Sequence, residues 1–364
     1  MTISTILTLL ERIAPPYLQE PYDNAGLIIG NSQWECGGVL VALDATKEVI
    51  NEAIEKKCNL VVVHHPIIFK GLQKINGKNY VEQAIITAIK NDIAIYAIHT
   101  NLDNVIDGVN GKIADKLGLI NRSILQPKND LIQKLVVFVP IANKDQLLQV
   151  LFEAGAGNIG NYSECSFVSE GIGTFKPGEN AHPFSGTIGV QHSDNEIKIE
   201  VVFPIWLQGQ ILSAMKQAHP YEEVAYEVFT LANSNQLVGS GLIGELAMEM
   251  DEKEYLKHIK EIFNTSVIRH TLLLNKPIKR VAVCGGAGSF LTSAAIAKGA
   301  DIYITADVKY HEFFDAEQKL VIADIGHFES EQYTIDLLAD VLRQNFPNFA
   351  VLKTGVLTNP VHYF

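Results

Sequence analysis

Apolar residues along this chain follow two alternating rhythms. Val39-Leu40-Val41-Ala42-Leu43 is a continuous apolar run ending at Asp44, as a strand buried on both faces requires. Residues 46–57 then place Val49, Ile50, Ala53 and Ile54 at helical spacing. The pair repeats as a strand at 60–63, a helix over 81–90, a strand at 93–98 and a helix over 110–117. Such βαβαβ order predicts a mainly parallel or mixed sheet with right-handed crossovers and flanking helices. The rhythm returns late, with strands at 280–284, 302–305 and 320–323 separated by helices beyond Ser289 and around 312–317.

Between these halves the pattern changes. A strand at 134–140 leads to a helix over 144–154 that stops at Gly155-Ala156-Gly157. Short strands at 166–168 and 197–201, a helix over 205–218 and a strand near 224–229 complete a βαββαβ order, the ferredoxin-like α+β sandwich. It is expected to span 130–232. Residues of metal-ligand type lie on both sides of it, so 1–129 and 233–364 are read as one discontinuous α/β domain. A length of 364 residues supports more than one domain.

The chemistry sits at the predicted strand ends. Leu60-Val61-Val62-Val63 closes in His64-His65-Pro66, and Pro66 bends the chain so that both imidazoles can turn to one side. The strand at 93–98 ends in His99-Thr100-Asn101-Leu102-Asp103, and the last strand leads to Asp324, His327 and Glu331. In a helix starting near Gly326 and running to about 338, His327 and Glu331 share a face at i and i+4. Each cluster alone resembles a hydrogen-bonded core histidine or a solvated polar face. Three strand ends with the same donors, on the carboxyl edge where open α/β sheets place ligands, point to metal coordination. On residue pattern alone, His99 and Asp324 remain in the candidate set.

Two further signals concern a substrate. Cys284-Gly285-Gly286-Ala287-Gly288-Ser289 follows a strand and opens a predicted helix, so Gly285, Gly286, Gly288 and Ser289 could receive a phosphate. The run lacks the lysine of a P-loop and the third glycine of a dinucleotide loop, and a tight turn without a ligand is the other reading. Lys309 and His311, after another strand, are candidates for an anionic or proton-transfer group.

Composition narrows the partners. Twenty-nine basic against 41 acidic residues give a net charge of −12, which argues against nucleic acid or an anionic membrane as partner. Cys36, Cys58, Cys165 and Cys284 are too scattered for a thiolate zinc site or a disulfide framework. The first residues read as a short amphipathic helix and not as a signal peptide, and no apolar stretch is long enough to span a bilayer, so a cytoplasmic protein is expected.

Four motifs in order, Glu20-Pro21-Tyr22-Asp23-Asn24-Ala25-Gly26-Leu27, His64-His65-Pro66, Thr100-Asn101-Leu102-Asp103 and Gly326-His327-Phe328-Glu329-Ser330-Glu331, resemble the GTP cyclohydrolase I type 2 family, the Nif-three-like dimetal proteins. The family pattern has tryptophan where this chain has Tyr22. The middle segment, with Gly155 to Tyr162 and His219-Pro220-Tyr221-Glu222-Glu223, resembles the PII/CutA-like insert of bacterial members.

The resemblance implies a Nif-like α/β fold interrupted by that insert. It also implies two divalent cations held by His64, His65, Asp103, His327 and Glu331, with Glu331 bridging. Five side chains cannot close two shells, as befits a catalytic site. The donor set admits zinc, iron, manganese or cobalt. The implied reaction is attack of metal-bound hydroxide on the purine C8 of GTP with release of formate, with His99 or His311 moving protons. A dimetal phosphoesterase or nucleotide hydrolase, or a non-catalytic metal-binding regulatory protein, is the alternative. The family further implies a nucleotide-like small-molecule substrate and a homo-oligomer, often a hexamer.

Overall fold

The structure, a computed structural model, describes residues 1–364. The strands are, in chain order, β1 (Gly26–Ile29), β2 (Val39–Ala42), β3 (Leu60–Val63), β4 (Ala94–Ala97), β5 (Ile120–Lys128), β6 (Ile132–Pro140), β7 (Phe167–Phe175), β8 (His192–Pro204), β9 (Tyr226–Leu231), β10 (Asn235–Met250), β11 (Arg269–His270), β12 (Ile278–Ala287), β13 (Ile302–Ala306), β14 (Val321–Asp324) and β15 (Val351–Lys353). The chain divides into two compact units, Met1–Pro127 with Gln236–Phe364, and Lys128–Asn235.

The first unit holds two mixed sheets. One has the order β1-β4-β3-β2-β15, parallel from β4 through β15 and closed by antiparallel β1. The other has the order β11-β14-β13-β12-β10-β5, parallel only across β12, β13 and β14. Each sheet takes an edge strand from the distant part of the chain, β15 in the first and β5 in the second, so neither half of the unit completes its own sheet. Every residue of β2, β3 and β4 is buried, as the continuous apolar runs demanded. The helix Lys47–Glu55, capped by the Thr46 hydroxyl at Val49 N, and the helix Tyr80–Lys90, capped by Asn79 at Glu82 N, bury Val49, Ile50, Ala53, Ala84 and Ala88 against one face. The first helix, Ile3–Ile13, puts Ile3, Ile6, Leu7 and Leu10 into the larger core shared with the second sheet.

The second unit follows the order strand, helix, two strands, helix, strand, in a sheet ordered β7-β8-β6-β9 with all neighbours antiparallel. Helices Lys144–Glu153 and Gln208–Ala218 cover one face over Leu135, Val137, Ile199 and Val201. This is the ferredoxin-like sandwich.

Two local expectations differ. The stretches expected at 166–168 and 197–201 fall on strands of nine and thirteen residues, the first beginning at Phe167. The missing side chain at Gly173 is where the Glu196 carboxylate passes, an added Cβ lying 2.0 Å from Oε2. The single helix expected to run to about 338 is two, His327–Glu331 and Thr334–Asn345. Between them Gln332 donates to Phe263 O and Tyr333 to Ile262 O, which ties the break to the helix Glu252–Phe263.

Candidate metal centre

The carboxyl ends of both sheets of the first unit meet here. His64 and His65 follow β3, His99 and Asp103 follow β4, and Asp44 follows β2. From the other sheet, β12 ends beside Gly286, β13 leads to Asp307, and β14 leads through Gly326 to His327 and Glu331. Gly326 adopts φ +95°, and a Cβ there would lie 2.2 Å from Glu329 Oε2, so only glycine makes this turn. The sheets are pinned together across the site by Asn110, which donates to Asp103 O at 3.0 Å and accepts the Gly285 N–H at 3.0 Å.

Each of four imidazoles spends Nδ1 on an acceptor. His64 Nδ1 donates to Ile98 O at 2.9 Å, His65 Nδ1 to Asp44 Oδ1 at 2.8 Å, His99 Nδ1 to Asp23 Oδ1 at 2.8 Å and His327 Nδ1 to Asp307 Oδ2 at 2.7 Å. A carboxylate or carbonyl can only accept, so these bonds place the proton on Nδ1 and leave Nε2 as the free lone pair. Metal-ligating histidines are held in this way.

The Nε2 atoms of His64, His65 and His327 face Glu331, which is 3% exposed. Its Oε2 lies 2.9 Å from His65 Nε2 and 3.1 Å from His327 Nε2. Its Oε1 lies 3.8 Å from His64 Nε2, which is 3.6 Å from Asp103 Oδ1. His64 Nε2 and Asp103 Oδ1 are both buried without a hydrogen-bond partner. His65 Nε2 and His327 Nε2 are 3.3 Å apart, a separation at which two lone pairs repel unless a positive charge lies between them. Donor atoms of His65, His327 and Glu331, of His64, Asp103 and Glu331, and of His64, His65 and His99 form three groups, each mutually within 4.8 Å. Orphaned buried acceptors and facing imidazole nitrogens are the chemistry of a cation site, and these residues fit one.

Without a cation, protons serve as the positive charge. Burial opposes a charged His65, but hydrogen bonds with Asp44 and Glu331 outweigh it and push its pKa up to about 9. His327 is driven up to about 11 against the same burial by Asp307 and Glu331. Burial, reinforced by Glu331, raises Asp103 to about 7. Glu331 goes the other way: its desolvation is outweighed by its interactions with His327, His64 and His65, which hold its pKa well below the usual carboxylate range. Folded pKa values raised above their unfolded counterparts contribute stability at low pH that disappears as pH rises. The Asp103 contribution goes between about pH 4 and 7, and that of His65 between about 6.5 and 9. Chelator-treated protein is therefore expected to melt at lower temperature at pH 9 than at pH 6.5. Bound cations compete with those protons, so their stabilisation should grow over the same interval. Thermal melts with and without chelator at the two pH values check this; a gap that narrows with pH contradicts it.

The sequence-predicted residues divide clearly. His64, His65, Asp103, His327 and Glu331 come together, and His99 joins them, its ring centroid 5.1 Å from His64 and 5.4 Å from His65. Asp324 does not: its Oδ2 accepts from Val308 N–H and Arg269, and its Oδ1 from Gly326 N–H, so its carboxylate is consumed in holding the turn. His311 is exposed, with Tyr310 and Phe314 as its ring neighbours, and Lys309 is 84% exposed and faces Glu312.

The glycine run has a different role from the expected phosphate loop. The amides of Gly285 and Gly286 are spent on Asn110 and the Ser330 hydroxyl, Ser289 enters a 3-10 turn, and the α-helix that follows, Thr292–Ala297, is short. The glycines are needed for close approach. A Cβ on Gly286, at φ +62°, would lie 2.5 Å from Glu331 Oε1, and one on Gly288 would lie 2.4 Å from Thr305 Oγ1. Gly286→Ala should then cost about 1–2 kcal/mol in backbone strain alone. It should also displace Glu331, weakening metal binding in a titration read alongside urea unfolding. An unaltered affinity would show that Glu331 does not depend on this contact. Cys284, whose thiol burial pushes far up, offers no thiolate.

Sequence reasoning assigned no role to Asp23, Asp44 and Asp307. Asp44 and Asp307 sit just past strand ends, as the histidines do, and that position was the available signal. Asp23 stood inside a quoted motif, but its bonds to His99 and to the N–H and hydroxyl of Thr100 cross 76 and 77 residues of chain.

Fold and cluster together define an α/β protein with metal-ligand residues gathered at the carboxyl edge of two facing sheets. The chain belongs to the Duf34/NIF3 (NGG1p interacting factor 3) family, whose model matches residues 1–360. It is 40% identical over 361 residues to a Halalkalibacterium halodurans protein called GTP cyclohydrolase 1 type 2 homolog, covering 98% of this chain and 97% of that one. A Bacillus subtilis protein of the same name is 39% identical over 325 residues, covering 89% and 87%. Among solved structures, a Bacillus cereus protein related to NIF3 superposes with a TM-score of 0.88 at 37% identity, covering 100% of this chain and 99% of that chain. A Staphylococcus aureus protein gives 0.79 at 32% identity with the same coverage. No helix is long and apolar enough to cross a membrane.

Proposed function

We propose that this protein is a metal-dependent hydrolase that holds two divalent cations and opens the imidazole ring of GTP with release of formate. The observation that carries the reading is the division of Glu331, Oε2 toward His65 and His327 and Oε1 toward His64 and Asp103. One carboxylate thus serves two sets of donors, each with too few protein ligands to close a shell. Cations so held would supply Lewis-acid polarisation and lower the pKa of water at neutral pH. Zinc, iron, manganese and cobalt all suit imidazole and carboxylate donors.

The chain's own residues have definite parts. Asp44, Asp307 and the Ile98 carbonyl fix the tautomers of the ligating histidines. His99, locked by Asp23 with Nε2 free, is placed to take or give a proton beside the cluster. Phe69 lies edge-on to His99 at 5.9 Å and is half exposed, which gives a flat substrate an apolar wall.

In this reading residues 130–232 form a PII/CutA-like module inserted in the metal-binding domain. The protein acts in the cytoplasm as a homo-oligomer, and light scattering of the purified chain should give the mass of a hexamer. Purified protein supplied with GTP and each metal in turn should yield formate. Release of phosphate or nucleoside instead would favour a phosphoesterase, and no product with any metal would favour a regulatory metal-binding protein.

A further inference from the structure

The second unit carries a pocket of about 600 Å³ on the sheet face away from its helices. Residues alternate across a strand, so while Ile197, Ile199 and Val201 face the helices, Glu196 and Lys198 face this pocket with Phe138. Gly171 pairs with Glu196 and Gly173 with Asp194, so β7 presents bare backbone here. Tyr221, Glu222 and Glu223, from the run His219-Pro220-Tyr221-Glu222-Glu223 to which the metal centre gives no role, also line the pocket.

Glu196 is 8% exposed. Its Oε1 accepts from the Tyr221 hydroxyl at 2.9 Å, and Oε2 receives no hydrogen bond from the protein. A carboxylate has about four acceptor sites, so Glu196 keeps accepting capacity for a donor that enters the pocket. Aromatic rings gather around its partner Tyr221. Tyr221 has Phe184 at 5.9 Å, Phe175 at 6.4 Å and His219 at 5.0 Å between centroids. His219 is held neutral, Nε2–H donating to Phe138 O at 2.8 Å and Nδ1 accepting the Tyr221 N–H at 3.1 Å, so it brings no charge and fixes Tyr221 in place. Glu170, Glu222 and Glu223 also line the pocket, against Lys176 and Lys198, and Lys198 Nζ is spent on Glu200 at 2.5 Å. Glu222 turns one oxygen to the His182 N–H at 2.7 Å. The balance is negative.

We propose that this pocket is a binding site for a small organic cation, an ammonium or guanidinium head on an apolar body. The head donates to Glu196 Oε2 and lies over the aromatic faces, where ring quadrupoles attract cations. Apolar walls with one well-placed charge are the usual composition of a small-molecule site.

Calorimetric titration of the full chain, in chelator so that the metal centre plays no part, tests this with agmatine and tyramine as probes and tyrosol as the neutral counterpart of tyramine. At least one cation should bind saturably, and tyramine at least tenfold more tightly than tyrosol. Glu196→Gln keeps the shape and the Tyr221 bond, and should weaken cation binding at least tenfold. Phe184→Ala, at a side chain 61% exposed, should weaken it several-fold without lowering the melting temperature. Failure of both cations to bind, equal binding of tyrosol, or indifference to Glu196→Gln overturns the proposal.

Discussion

Replacing Glu331 with glutamine is expected to lower turnover by more than about 100-fold, since loss of groups that merely orient ligands already costs about 10- to 100-fold. The change preserves volume at a 3% exposed position, so the fold should survive. It replaces one carboxylate oxygen with an N–H donor. That donor can satisfy a histidine Nε2 when metal is removed but repels a cation, and only one oxygen is left for two sets of donors. Elemental analysis should show fewer tightly bound cations per chain than in the parent protein. Full metal content with full turnover would remove Glu331 from the bridging position. Unfolding on metal removal, in parent and variant alike, would instead mark the cations as structural.

Asp44→Asn should weaken metal binding by about 10- to 100-fold while leaving every ligand in place. Asp44 accepts the His65 Nδ1 proton at 2.8 Å and is steadied by the Thr358 hydroxyl from the C-terminal segment. Its burial opposes ionisation, but the bond from His65 outweighs this and lowers its pKa, so it acts as an anion. An asparagine can turn its amide to donate to Nδ1. The imidazole proton then moves to Nε2, where it points at Glu331 and at any cation. Metal titration reads the affinity. The pH dependence of binding should change as well, because the Asp44 bond is a principal cause of the raised His65 pKa. A bystander role for Asp44 would leave that pH profile unchanged.

The same logic explains why the candidate ligands were legible in the sequence and their supports were not. His64-His65 interrupts a run that is otherwise apolar, and His327 and Glu331 stand at helical spacing, so local pattern alone marks them. Asp44 and Asp307 are single acids after strands, which is where ordinary turns also place acids. Only the packing of two sheets shows that each accepts from an imidazole Nδ1. The glycine run shows the converse. Read locally it resembles an anion-binding turn, but Gly286 lacks a side chain because Glu331 occupies that space.

The periods of the apolar residues and their strand-end polar clusters determined by themselves that this chain builds parallel strand–helix units with an α+β segment between them, because burial of apolar faces sets both periods. They also determined which donor types would be available. Tertiary structure alone decided that β5 and β15 exchange between the halves of the first unit, that Asp324 holds a turn while His99 joins the cluster, and that Glu331 faces two sets of donors. Those outcomes depend on contacts between residues far apart in the chain, 266 positions for His65 with Glu331, and no local period encodes such a distance.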